Sequence, residues 1–275
     1  MRALIATDLS EASLATVEAV TSCNPVDFEG VVLLHAVDLD LYTAGGTVPA
    51  VIELAEESLG SIAEGLREAG FDVSVRVEVG PAAEVIERVA AEEGVGLVVM
   101  SNLGSGAVTG RLLGSTAERL ASAGKLPVLI ERVREDGGAW CRIAECHPFG
   151  KVLVGTDLCD SLRSQLDVVG QLPGVGEVRV VHVADEGMDA ERVTEACFAL
   201  VAEAAPEMSV EAGVRIGGDP AEELLAEAAE WGASVIVVSP RAHGIVHRAI
   251  WGSTARKIAR ESSVPVLFVP TGDGL

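Results

Sequence analysis

The sequence predicts an α/β protein built as two tandem open parallel five-stranded sheets flanked by helices. Short Val-, Ile- and Leu-rich runs alternate with longer amphipathic segments, the pattern of a parallel sheet covered on both faces. The whole pattern occurs twice in the same order within 275 residues, a length that suits two domains of about 130 residues, each with its own core. Hydrophobic residues make up 49% of the chain and aromatics only 3%, so the cores are built from Val, Leu, Ile and Ala, and a disordered chain is excluded.

The first copy opens with RALIAT, a strand near 2–7, and continues with strands near 30–37, 71–79, 95–100 and 127–133. Helices fall near 11–22, 49–69, 82–93 and 115–123, and in the second of them Leu54, Leu59, Ile62 and Leu66 are spaced to line the side that covers the sheet. The second copy repeats the order with strands near 151–156, 177–183, 210–216, 235–239 and 265–269. RALIATDLSEAS returns as KVLVGTDLCDSL, which sets Asp8 over Asp157, and VVLLHAVD returns as VRVVHVAD, which sets His35 over His182. Pro81 and Gly114 match Pro220 and Gly252. The offset shrinks between the second and third strands, where the first copy carries the extra stretch LDLYTAGGTVPA. The domains are therefore expected at 1–133 and 150–271, joined by a linker at 134–149 where periodicity is lost and Gly accumulates, with Trp140 and Ile143 able to pin it to a domain. Open sheets of this kind take ligands at the carboxyl ends of their strands, where the strand order reverses.

Charge narrows the choice of partners. Forty-two acidic against 20 basic residues give a formal charge of −22, a field that repels a nucleic-acid backbone, and no basic and aromatic cluster interrupts it. No apolar run is long enough for a membrane helix, and Asp8 interrupts the opening apolar stretch before it resembles a signal-peptide core, so a cytoplasmic protein is expected. The five cysteines are odd in number and scattered, which makes reduced thiols the default. Cys141, Cys146 and His147 offer soft ligand types without the spacing or the second pair of a zinc knuckle, so an unligated role and a metal or redox role both stay open.

Chemistry gathers at the strand ends. The carboxylate of Asp8 can accept a hydrogen bond from an exocyclic amine or a ribose hydroxyl, or it can cap the helix that Ser10 begins; Asp157 offers the same choice. After the fourth strand, Gly104, Gly106 and Gly110 permit a close-turning loop, and Gly114, Ser115 and Thr116 then open a helix. Its free N–H groups and hydroxyls suit a phosphate and its magnesium ion, or Ser115 merely caps that helix. The loop lacks the Gly-Lys-Ser/Thr ending of the common NTPases, no GxGxxG follows the first strand, and no GxSxG elbow is followed by an acid and a His in chain order.

With these motifs in place, each half resembles a universal stress protein domain. The likeness rests on ATDLS with VLLHAVD, VGPAAEVI, and Ser101 to Gly104 followed by nine residues and Gly114-Ser115-Thr116. The second half carries GTDLCDS, VVHVAD, GGDPAEEL, and Ser239 to Ala242 followed by nine residues and Gly252-Ser253-Thr254. The resemblance implies an adenine nucleotide alpha hydrolase-like fold and, in members that bind it, ATP or a related adenine nucleotide, with Mg2+ as its companion. It implies a first site at Asp8, Ala36, Met100, Ser101, Gly104, Gly114, Ser115 and Thr116, and a second at Asp157, Val183, Ser239, Ala242, Gly252, Ser253 and Thr254. His35 and His182 read as buried structural residues. Ser101 stands where the family has its first loop glycine, and Ser239 and Ala242 replace both leading glycines of the second half. A left-handed backbone at such a position would cost a non-Gly residue about 1–2 kcal/mol, and Pro240 removes an N–H donor. The first site is therefore expected to bind better than the second, although Arg241, His243, His247 and Arg248 offer the second an alternative hold on phosphate.

Three functions stay open: a nucleotide-binding regulatory stress-response protein, a scaffold of the same fold that binds no nucleotide, and a slow ATPase, for which no catalytic residue is evident. The inserted LDLYTAGGTVPA, with Tyr42, Gly45 and Gly46, reads as a nucleotide-dependent lid or as an ordinary variable connection. The fifth strands, LPVLIERV and VPVLFVP, are apolar at an expected sheet edge. The family resemblance implies that they pair into an intramolecular pseudo-dimer. Association of two chains into a homodimer is compatible with this, and a regulatory protein partner is implied without being named.

Overall fold

The computed structural model describes residues 1–38, 47–104, 113–143, 148–158, 161–240 and 251–271. The chain divides into two compact units, Met1–Leu120 with Val128–Ile143, and Ala144–Leu275 with Ala121–Pro127.

The first unit contains β1 (Arg2–Ala6), α1 (Glu11–Leu14), α2 (Val17–Thr21), β2 (Gly30–Val37), α3 (Val48–Glu68), β3 (Val73–Val79), α4 (Ala82–Glu93), β4 (Leu97–Ser101), α5 (Ser115–Ala123) as far as Leu120, and β5 (Val128–Glu131). Its strands run in the order β5-β4-β1-β2-β3, every neighbouring pair parallel. β1, β2 and β4 are buried almost throughout, as expected of strands covered on both faces, whereas β3 at the edge is largely half-exposed. Order reverses between β1 and β4, and their register ends at Ile5 and Val99, so a crevice opens beyond these residues. α4 stops where Gly94 adopts the left-handed conformation at φ 63°, which Gly reaches without steric cost.

Two expectations for this unit are corrected. The helix expected over 11–22 is split, because the Thr16 N–H bonds back to Ser13 rather than to residue 12, tightening the turn to an i→i+3 step. In α3 the buried stripe is Ala55, Leu59, Ala63 and Leu66, while Leu54 is exposed. Five residues separate Leu54 from Leu59, and at about 100° per residue that turns Leu54 roughly 140° away from the sheet.

The segment read as linker contains structure. Val133–Asp136 (β6) and Ala139–Arg142 (β7) form an antiparallel hairpin that belongs to the first unit. Gly137 and Gly138 supply its two-residue turn, with φ 61° and 90°. Val133 packs with Ala12 of α1 and with Ala15, which follows that helix, and Trp140 and Leu103 rest against the same cluster. At its root the Arg142 guanidinium meets the Glu131 carboxylate at 3.3 Å, with both side chains buried, and donates to Ser22 Oγ at 3.0 Å.

The second unit contains β8 (Lys151–Thr156), α6 (Ser161–Val169), β9 (Glu177–Ala184), α7 (Ala190–Ala204), β10 (Val210–Ile216), α8 (Pro220–Trp231), β11 (Val235–Val238), α9 (Ser253–Glu261) and β12 (Val266–Phe268). Its order, β12-β11-β8-β9-β10, is the order of the first unit over again, and all its pairs are parallel. Asp219 caps α8 by accepting from the N–H groups of Ala221 and Glu222, and Gly232 ends it at φ 73°, the counterpart of Gly94. No described helix is long and apolar enough to cross a membrane.

Candidate functional site

In each unit the turn after the first strand is built alike. Thr7 Oγ1 accepts from the N–H of Leu9 at 3.0 Å, and Thr156 Oγ1 accepts from the N–H of Leu158 at 3.0 Å. Leu9 and Leu158 are the two non-glycine residues with positive φ among the described residues, at 64° and 57°. Such a backbone costs a leucine about 1–2 kcal/mol, and the threonine hydrogen bond helps to hold it. The same turn receives the second strand's histidine: His35 Nδ1 donates to the Thr7 carbonyl at 2.9 Å, and His182 Nδ1 to the Thr156 carbonyl at 2.9 Å. The carbonyl can only accept, which fixes the Nδ1–H tautomer in both rings. Both histidines thus brace the turn that presents Asp8 or Asp157.

Asp8 is exposed at the carboxyl end of β1. Its Oδ1 accepts from Ser10 N–H at 3.1 Å and Ser10 Oγ at 2.5 Å, while Ser10 itself caps α1 by accepting from Ser13 N–H. The helix-capping role belongs to Ser10, and Asp8 orients it. Its other oxygen lies against Gly104, where a Cβ would stand 2.5 Å from Asp8 Oδ2. Glycine at 104 therefore serves close approach, and its φ is not in the left-handed range.

The loop after β4 begins at Asn102, which is buried and firmly tied. Its N–H donates to the Glu131 carbonyl at 2.9 Å, its Oδ1 accepts from Val133 N–H at 3.0 Å, and its carbonyl accepts from Gly114 N–H at 2.7 Å. The second unit closes its loop the same way, with Gly252 N–H donating to the Pro240 carbonyl at 2.9 Å. Ser101 and Ser239 do not have positive φ, so the backbone strain expected at these replaced glycines is absent. Ser101 Oγ instead donates to the Leu103 carbonyl.

Of the first site's expected residues, Asp8 and Gly104 are in contact, and Gly114 leads α5 with Ser115 exposed and Thr116 half-exposed. Ala36 is half-exposed near the end of β2, while Met100 and Ser101 are buried at the end of β4. In the second unit, Asp157, Val183, Ser239, Gly252, Ser253 and Thr254 line one cleft of about 210 Å3, with Gly155, Ser161, His182, Pro220, Leu224 and Val238. Ligand pockets more often span about 300–1,000 Å3, and this cleft is smaller than that. Gln165 also lines the cleft, and no motif marks it, since it lies within an amphipathic helix. Ala242, Gly106, Gly110, Arg241, His243, His247 and Arg248, the proposed lid as far as Gly46 with Tyr42 and Gly45, and Cys146 and His147 lie outside the described residues, while the end of the proposed lid is Thr47, just before α3, and Val48–Ala50 in its first turn.

A larger groove of about 350 Å3 runs along the middle of β9 and β10. Its two guanidiniums are already engaged, Arg179 with Glu211 at 2.7 Å and Glu227 at 2.9 Å, and Arg215 with Glu227 at 2.8 Å and Glu223 at 3.1 Å. It lies away from the strand ends, which favours the smaller cleft as the candidate site. Among the described residues no cluster of three His, Cys, Asp or Glu could hold a metal ion. Cys23 is buried beside the Glu131–Arg142 pair, and burial pushes its thiol up to about 12, which suppresses thiolate chemistry.

The chain is 27% identical over 148 residues to the universal stress protein MJ0577 of Methanocaldococcus jannaschii, covering 46% of this chain and 91% of that one. A universal stress protein from Archaeoglobus fulgidus has a similar solved structure, with a TM-score of 0.74, 27% identity and 98% of each chain covered. A second solved structure, a universal stress protein from Pseudomonas aeruginosa with a TM-score of 0.67, 18% identity and 99% and 94% coverage, shares the fold. The pattern of the universal stress protein family matches residues 1–132 and again 148–270. With the same sheet order and the same bracing of the first turn in both units, the chain belongs to the universal stress protein family, in its tandem two-domain form.

Proposed function

We propose that this chain is a regulatory stress-response protein that binds an adenine nucleotide, ATP or a close relative, at the carboxyl ends of its strands, with the first repeat as its principal site. The observation that carries this reading is the approach of Gly104 to Asp8. It joins the loop after β4 to the carboxylate after β1 and leaves a surface that a single Cβ would fill. Backbone free of side chains beside a hydrogen-bond acceptor suits a ribose and its base. In the reading we propose, Asp8 and the backbone at Ala36 hold the adenine end, Met100, Ser101 and Gly104 flank the ribose, and Gly114, Ser115 and Thr116 receive the phosphates. Mg2+ would arrive on the phosphates, with the hydroxyls of Ser115 and Thr116 as its protein contacts.

The preference for the first repeat rests on space. Position 104 has no room for a Cβ beside Asp8, and the corresponding position 242 carries an alanine. Turnover is not part of the proposal, since no described group is placed to activate water. Calorimetric titration of the intact chain with Mg-ATP tests the reading. Micromolar binding weakened by Asp8→Ala is expected, and a preparation free of nucleotide that takes up none would favour the scaffold alternative. The protein is further proposed to act in the cytoplasm, through a regulatory protein partner.

A further inference from the structure

We infer that Gln165 reads the base in the second repeat: its Oε1 accepts a hydrogen bond from the exocyclic amine of an amino-purine nucleotide. The inference rests on the nucleotide reading above and goes beyond it by assigning a selecting residue and a ligand feature.

Gln165 lies on α6 and is 1% exposed, yet it lines the cleft. Its Nε2 donates to the Gly155 carbonyl at 3.1 Å. A carbonyl can only accept, so this bond fixes the orientation of the amide and leaves Oε1 as the other end. Among the described residues Oε1 has no hydrogen-bond partner. A buried amide oxygen without a donor is unfavourable, and a ligand that supplies one gains more than it would at an exposed group.

The position of the amide says which part of a nucleotide meets it. The β8–β11 register ends at Val154 and Val237, so the strands part just before Gly155, at the point where strand order reverses. The walls there are apolar: a Cβ on Gly155 would stand 2.8 Å from Leu224 Cδ1 and 3.4 Å from Val238 Cγ1. Among the described residues two buried groups of the cleft lack a partner, Gln165 Oε1 and Ser239 Oγ, and only the amide oxygen is restricted to accepting, so apolar walls beside Gln165 match the face and the amine edge of a purine. The N-terminus of α9, capped by Gly252 without a side-chain hydrogen bond and followed by the hydroxyls of Ser253 and Thr254, matches the phosphates. Asp157, exposed at the rim, and the backbone at Val183 meet the rest of the adenine end, as Asp8 and Ala36 do in the reading of the first repeat.

The first repeat has Thr16 at the equivalent place, fully buried and likewise with no partner for Oγ1. A hydroxyl both donates and accepts, so Thr16 imposes no requirement for an amine. The two sites of one chain then differ in selectivity.

The test is calorimetry on the full chain carrying Gly114→Asp, whose added carboxylate repels phosphate from the first repeat. Mg-ATP is compared with Mg-purine riboside triphosphate, which lacks the exocyclic amine. Loss of the amine is expected to weaken binding about tenfold with Gln165 present and to have no effect with Gln165→Met. Where Gln165→Met perturbs the fold, Gln165→Thr, which places the first repeat's residue there, replaces it, and loss of the discrimination between the two ligands is again expected. Equal affinity for both ligands overturns the inference and leaves the nucleotide reading standing. Absence of all binding at the second repeat overturns both for that repeat.

Discussion

At the scale of single residues, Gly104 and Asp8 carry the most consequence. A Cβ at position 104 meets the end of the Asp8 side chain rather than backbone, so Asp8 can turn aside at the cost of its surface bonds to Ser10, but it then leaves the place from which it would meet a ligand. Gly104→Ala is expected to weaken ATP binding at the first repeat about tenfold, equivalent to about 1.4 kcal/mol, while the thermal midpoint moves by no more than ~3 °C, which corresponds to about 1 kcal/mol. Titration and thermal unfolding of the same sample check both halves, and a variant with unchanged affinity would remove the role given to the Asp8–Gly104 contact. The repeated Asp was legible in the sequence because a whole motif surrounds it. The left-handed turns at Leu9 and Leu158 were not, since leucine carries no turn signal and the conformation is held by the preceding threonine and a histidine from another strand. Gln165 escaped for a related reason: one polar residue in amphipathic helical text is unremarkable until the helix is seen packed under a strand end.

At the scale of elements, strand and helix positions followed from periodicity, and α4 and α5 fall on 82–93 and 115–123 as expected. The hairpin after β5 is hard to see in the sequence because its glycines suit a linker as well. Gly137-Gly138 between two short strands is equally the signal of a two-residue turn. That hairpin reaches the candidate site, since Asn102 spans from Val133 to Gly114 and Leu103 shares a cluster with Trp140. Its root is the buried Glu131–Arg142 pair. Burial pushes the Glu131 carboxyl above the usual carboxylate range and the Arg142 guanidinium draws it part of the way back. Removing the partner alone strands a buried charge, so Arg142→Met is expected to destabilise the first repeat by about 3–5 kcal/mol, whereas Glu131→Gln with Arg142→Met should recover much of that loss. The pH dependence has a definite sign. A carboxyl whose pKa is higher folded than unfolded favours the folded state below the ordinary carboxylate range and loses that advantage as pH rises through its folded pKa. In Arg142→Met, where only the backbone N–H of Arg132 still draws the pKa down, urea unfolding should therefore show stability falling as pH rises from about 4.5 toward 7. A flat profile would show that Glu131 is not buried as a charge.

At the scale of the whole molecule, the formal charge of −22 acts on the proposed ligand as well as on the fold. A nucleoside triphosphate approaches a body of its own sign, and long-range repulsion slows encounter until salt screens it. The Debye length is about 10 Å at 0.1 M and about 3 Å at 1 M. Raising NaCl across that range should therefore leave only the local attraction of the N–H groups at the start of α5 and α9. The association rate of Mg-ATP is expected to rise several-fold with salt, opposite in sign to the loss of affinity that marks proteins built to hold nucleic acid. Screening also relieves self-repulsion in the folded chain, so the thermal midpoint should rise over the same range. Stopped-flow mixing with a fluorescent ATP analogue gives the first quantity and calorimetric scanning the second. An association rate that falls with salt, beside a midpoint that rises, would mean that positive side chains close to one site govern the encounter. The candidates for that role are the Arg and His residues between Pro240 and Trp251.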